Sequence, residues 1–244
     1  MSVDPLLLRA RGLWEMLAAA PASFSLSGGV TVVASPESGL CPPSWAGIVV
    51  LGDAAIVTAP TGVAARALKC AMAKVPTNSL TEADVAQAIL PVAEVLGPAT
   101  LGYVSLDDFR PAAASAAIED LTPGHQELHG LLRSAGQKDA DESGMEEITS
   151  PAFIVREGAD VIAAAGYQTW PASTAHISVL TSPRHRGRGL ARQVASAAVA
   201  HALAADLMPQ WRARPVESRR VAAALGFREL GTQLSVRLDQ DKLA

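Results

Sequence analysis

The residues best placed for chemistry lie in one stretch, Thr174 to Ala191, which ends Thr181-Ser-Pro183-Arg184-His-Arg186-Gly187-Arg188-Gly189-Leu190-Ala191. Its first half is short, β-branched and apolar, with His176 and Ser178 at alternate positions, which predicts a strand. Its second half is a turn holding Pro183, Gly187, Gly189 and three arginines, and an Ala-rich helical run follows at once. A strand, a basic glycine turn and a helix N-terminus together make a cradle for phosphate. The first backbone N–H groups of the helix are unpaired and its dipole favours negative charge. Glycine lets the backbone approach a ligand that a Cβ would hold off. The plainer alternative is a solvated basic turn that happens to contain two glycines.

Two phosphate motifs are excluded. A P-loop needs a lysine that this turn lacks, and a dinucleotide fingerprint needs a third glycine where Leu190, Ala191 and Arg192 stand. Arg186-Gly187-Arg188-Gly189-Leu190-Ala191, led in by Thr181-x-Pro183-x-x-Arg186, resembles the Arg/Gln-x-x-Gly-x-Gly/Ala signature of the GCN5-related N-acetyltransferase (GNAT) superfamily, with FR47-like character in the C-terminal half. Arg184-x-x-Gly187-x-Gly189 also fits; the Pro-x-x-Arg-Gly-x-Gly spacing favours Arg186. A second landmark, Leu225-Gly226-Phe227, follows in the family's order. The resemblance covers roughly residues 115–238.

The resemblance implies a fold of class α/β (α+β): a mixed central sheet with splayed strands flanked by helices, preceded by a smaller α/β domain. It implies acetyl-CoA as cofactor, with CoA as product. Backbone groups of Val179, Leu180 and Thr181 would meet the pantetheine, and Arg186, Gly187, Arg188, Gly189, Leu190 and Ala191 the diphosphate, with Arg184 adding charge. Ser218 matches a serine near the cofactor thiol. Pro215 stands where the family often has asparagine, and no tyrosine follows Phe227 to serve as the usual acid. Ser235 is then the hydroxyl closest to that place but a poor acid, with Ser218 or water as substitutes, and His176 is the candidate base, with a structural histidine as its alternative. Tyr167, Trp170 and Trp211 are candidates for the acceptor pocket or, equally, core aromatics.

The elements needed to position these residues can be read along the chain. Asp4-Pro5 opens a helix running to Pro21. Residues 29–34, 48–51 and 54–58 read as strands, and 61–75 as an Ala-rich helix. Ser79-x-x-Glu82 is a capping-box signal for a helix to about Leu96, and 99–105 reads as a strand. This first part, residues 1–112, carries no chemical motif and reads as a degenerate or family-specific half. Pro111–Ala117 is the expected linker into a second domain, 113–244. There, 116–121 is expected as the first strand, followed by helices over 124–135 and the acidic segment 139–147. A hairpin over 153–167, a helix over 190–207, a strand over 210–214, a helix over 215–225 and a closing strand over 232–238 complete it. Gly226 is expected at the left-handed stop of the last helix, with Phe227 packed back on it. The acidic segment reads first as a solvated face; a metal site and a lure for a cationic amine are the alternatives.

Composition bounds the rest. A net charge of −4 over 244 residues argues against a general nucleic-acid binder, and 49% hydrophobic residues suffice for a core. Cys41 and Cys70 are far apart in sequence and form no metal or disulfide pattern, so no metal is expected and a reducing cytoplasm is the default. The first residues lack the pattern of a signal peptide, and no apolar run is long enough to span a membrane. The leading expectation is an N-acetyltransferase acting on a small-molecule amine, with a homodimer as one possibility. A peptide or protein amine is the alternative within that class, and a catalytically inactive acetyl-CoA-binding sensor is the rival class.

Overall fold

The computed structural model describes residues 4–113 and 116–239. By its contacts the chain divides into two compact units, one of residues up to Leu101 together with those from Glu229 onward, the other Gly102–Arg228. This differs from the expected division at 112/113, because the last strand joins the sheet of the first unit.

In the first unit, helix α1 (Pro5–Leu17) starts at Asp4, whose carboxylate accepts from the N–H of Leu6, with Pro5 in the first turn. Strands β1 (Gly29–Ala34), β2 (Ala46–Leu51) and β3 (Ala54–Ala59) follow. β1 runs parallel to β3, and β2 and β3 form the expected hairpin across Gly52-Asp53. Helix α2 (Gly62–Met72) leaves β3 after two residues and is capped by the Thr61 hydroxyl, which accepts from the N–H of Ala64 at 3.1 Å. Helix α3 (Ala83–Ile89) is shorter than expected. Pro91 and the β-branched Val92 and Val95 turn the chain into strand β4 (Val92–Tyr103), and Glu82 caps α3 without the side-chain bond a capping box would supply.

In the second unit, strand β5 (Glu119–Leu121) begins later than the expected 116, and helices α4 (Leu128–Ala135) and α5 (Gln137–Ser143) follow. Then come β6 (Ala152–Glu157), β7 (Asp160–Trp170), β8 (Thr174–Thr181), α6 (Leu190–Ala204), β9 (Met208–Ala213) and α7 (Val216–Ala224). Strand β10 (Arg228–Leu238) pairs antiparallel with β2 of the first unit's sheet, Gly231 to Val236 against Leu51 to Ala46. The expected linker is not free chain. The N–H of Ala112 donates to Ser196 and that of Ala116 to Gln193, both on α6, at 2.9 and 3.0 Å, while residues 114–115 lie outside the described residues. The signal-peptide reading likewise begins on residues 1–3, outside the described residues.

Sheet alternation sorts the second unit into two faces. Ala163, Ala165, Tyr167, Ala175, Ile177 and Trp211 pack with α6 and Phe227. Ile154, Ala164 and Leu180 pack with α4 and with Met145 and Ile148. Helix α7 ends as the sequence predicts. The N–H of Phe227 reaches the carbonyl of Ala222 and that of Gly226 the carbonyl of Ala223, both at 3.1 Å, which is a Schellman closure. Gly226 has φ +92, and a Cβ there would sit 2.0 Å from the carbonyl oxygen of Asp108. Only glycine fits.

Candidate functional site

Strands β8 and β9 are parallel neighbours for three residues only: Thr174 with Met208, Ala175 with Pro209 and His176 with Gln210. Beyond His176 the register stops, although β8 continues to Thr181 and β9 to Ala213. On its other edge β8 stays paired with β7 as far as Thr181. Residues 177–181 of β8 and 211–213 of β9 therefore flank an opening in the sheet, with backbone groups on its rims and His176–Gln210 at its vertex.

The opening leads along β8 into the glycine turn. Pro183–His185 form one 3-10 turn, and Gly187 and Gly189 follow with φ +77 and +76. No atom lies within 4 Å of where their Cβ atoms would be, so the backbone there faces open space. Gly189 occupies the N-cap position of α6 and no side chain caps that helix end. The helix thus begins with N–H groups and a dipole directed at an exposed, glycine-lined turn.

The turn's cations are engaged by carboxylates. Arg186 bonds Asp139 of α5 and, through Nε, the carbonyl of Thr181. Arg188 and His185 both bond Glu157 at 3.1 Å, and these donors hold the Glu157 carboxyl below the usual carboxylate range. Arg184 projects into a cavity of about 680 Å³ between α4, the β6–β7 turn and Ser182–His185.

At the vertex, His176 shares the face of Ser178, Gln210 and Arg212. Its Nδ1 pairs with Oε1 of the fully buried Gln210, and Trp170 stacks on its ring at 4.0 Å and 11°. The Gln210 side-chain nitrogen is buried with no hydrogen-bond partner. Loss of water around the imidazole, and secondarily the Arg212 charge, push the His176 pKa down to about 3, against the bond to Gln210. The ring is neutral across the ordinary pH range. The Arg212 guanidinium lies 5.8 Å from the Trp170 ring centre.

The structure separates the three aromatic candidates. Trp170 stands at the vertex. Tyr167 faces the α6 side, 4% exposed, with its hydroxyl 2.9 Å from His201 Nδ1. Trp211 is also in that core, edge-on to Phe227, and donates from Nε1 to the Ser218 hydroxyl at 3.0 Å. Both act here as core aromatics, the alternative reading of these residues. Ser218 accepts that bond and keeps its own proton to donate. Ser235 lies in the first unit, buried and opposite Gly47 in the β10–β2 ladder. Sequence reasoning missed Gln210, Asp139 and Glu157 as members of this region. The one signal for Gln210 was an amide two residues from Arg212 in a short strand, on the same face as it; no local signal pairs the two acids with the turn. Among the described residues no group of three His, Cys, Asp or Glu side chains could hold a metal, and no helix is long and apolar enough to cross a membrane.

Parallel strands that part beyond His176 thus feed a glycine turn at a helix end without a side-chain cap. Residues 151–232 match the family model described as GNAT acetyltransferase, so this segment is similar to that family. A GCN5-related N-acetyltransferase from Kribbella flavida superposes with a TM-score of 0.50 at 14% identity, covering 64% of this chain and 63% of that one. A GNAT-family protein from Novosphingobium aromaticivorans gives 0.47 at 20% identity, covering 59% and 65%. One from Colwellia psychrerythraea gives 0.47 at 15%, covering 66% and 62%. The chain thus spans less than two thirds of the length of these structures. No curated protein sequence matches it.

Proposed function

We propose that the protein is an acetyl-CoA-dependent N-acetyltransferase acting on a primary amine of a small molecule, in the cytoplasm. The observation that carries this reading is the end of the β8–β9 register at His176–Gln210, which opens a sheet edge running into the uncapped turn of α6. The residues present fit acetyl-CoA: glycine backbone with free space, three arginines and an extended strand edge of the right polarity. When bound, acetyl-CoA supplies a thioester whose carbonyl carbon accepts the amine and whose sulfur departs.

The chain's own residues bind and orient. Arg186 and Arg188, with the N–H groups of Gly189 to Ala191, would hold the diphosphate by charge-assisted bonds. The backbone of Val179 to Thr181 would hold the extended arm. His176, with Nδ1 pinned by Gln210, presents Nε2 as an acceptor that orients the amine. A group titrating near 3 is a poor proton acceptor at neutral pH, so the amine must arrive already neutral. Ser218 keeps a hydroxyl proton available to the departing sulfur. Proximity then supplies most of the rate enhancement.

The test is thiol release from acetyl-CoA against a panel of small amines and N-terminal or lysine-bearing peptides. Release with small amines alone supports this reading, and release with peptides alone moves the acceptor to proteins. Pro215, the missing C-terminal tyrosine and the commitment of the Tyr167 hydroxyl to His201 favour a second reading, a non-catalytic acetyl-CoA binder. Tight binding with no release across the panel would select it.

A further inference from the structure

The acidic stretch Asp139–Glu147 is an exposed face, as read from the sequence, but part of its charge is paired. Within it, Asp139 pairs with Arg186 on the phosphate turn, and Glu142 pairs with Arg214 just beyond β9. Glu147 acts electrostatically on Arg212 of β9, and the Ser178 hydroxyl of β8 donates to the carbonyl of Gly144. The backbone of Gly144 lies close upon β8, since a Cβ there would come within 3.2 Å of the Ser178 oxygen. One short segment is therefore fastened to both strands that border the opening and to the turn at its end. Its first carboxylate sits on the guanidinium proposed to take the cofactor's diphosphate.

We infer that α5 and the residues after it form an electrostatic strap whose Asp139 carboxylate occupies the place of a phosphate in the ligand-free protein. This rests on the function proposed above. A diphosphate arriving at Arg186 competes with Asp139 for the same exposed guanidinium, because the two anions repel one another there and Asp139 engages its Nη2. The segment then stays held through Glu142, Glu147, the Gly144 contact and the buried Met145 and Ile148, while its N-terminal end loses its tie to the turn. Cofactor binding is thereby coupled to loosening of the segment that lies over the face carrying His176.

The test is calorimetric titration of acetyl-CoA into the full chain, wild type and Asp139→Asn, at low and high salt. Asp141→Asn removes the same charge from the same helix, but its carboxylate accepts from Gln137 of that helix, so it serves as the control. The strap predicts that Asp139→Asn tightens binding about two- to fivefold at low salt, as expected for losing an exposed ion pair. The gain should shrink at high salt, and Asp141→Asn should show less of it. Amide hydrogen exchange should speed up in 137–143 of the wild type when acetyl-CoA binds. Unchanged or weaker binding in Asp139→Asn would overturn the strap while leaving the acetyltransferase reading intact, since it would mean Asp139 merely orients Arg186. Absence of binding in both wild type and variant would remove the proposed function and the strap with it.

Discussion

The protein contains two strand–turn–helix connections of similar plan with opposite endings. In the first unit β3 passes to α2 through Pro60 and Thr61, and the Thr61 hydroxyl closes the helix by accepting from the N–H of Ala64. In the second unit β8 passes to α6 through eight residues, three of them arginines, with left-handed glycines and no side-chain cap. Each helix must satisfy its first N–H groups somehow. The first meets one of them with its own threonine, whereas no side chain caps the second. A helix end is made into an anion site by what is withheld from it as much as by the charges set around it.

This contrast can be broken at either end. Gly189→Val is expected to have the largest effect. The pocket around it has room, but φ +76 costs a β-branched residue roughly 1–2 kcal/mol or more. The turn would relax away from its open shape, weakening acetyl-CoA binding by about tenfold or more, read by calorimetry. Thr61→Ala should do the reverse, losing about 1 kcal/mol of stability in denaturant unfolding while acetyl-CoA affinity stays as in the wild type. A change in affinity there would mean that the two connections do not act independently.

The two units should also respond to opposite ends of the pH scale. His176 is neutral in the fold down to about 3, while in the unfolded chain it charges below its ordinary value of 6.5. Its contribution is complete above 6.5 and is lost as pH falls toward 3. Burial pushes the Cys41 thiol of the first unit up from 9.0 to about 11, so its contribution is complete below 9.0 and is lost as pH rises toward 11. Unfolding measured against pH should lose its acid slope partly in His176→Gln and its alkaline slope partly in Cys41→Ala. The smallest expected effect is kinetic: kcat/KM should rise with the fraction of neutral amine and show no histidine limb near 6.5. A limb there would make His176 a true base.

The features legible in the sequence are those written locally. The glycine turn, Thr61–Gly62 as a helix start, the Asp4-Pro5 cap and the Gly226-Phe227 stop each depend on a few adjacent residues, and each is where the residues place it. The point at which β8 and β9 part is set by pairing between distant strands, which no single stretch encodes. So is the partnership of His176 with Gln210. Alternation did contain the face assignment, since His176 and Ser178 share one parity and Tyr167, four residues ahead of the β7–β8 turn, takes the opposite face to Trp170. What it lacked was which face the open site would use. The acidic segment is exposed as it reads, but its pairing was not legible, since the arginines it meets stand 47 and 72 residues later.

The most direct test is titration of acetyl-CoA into the wild type and into Arg186→Ala/Gly189→Ala. Loss of a charge-assisted bond and of the left-handed glycine together should weaken binding roughly a hundredfold, with the far-ultraviolet dichroism unchanged. Equal affinity in both proteins, or no binding by the wild type, would contradict the claim that this turn is a cofactor cradle.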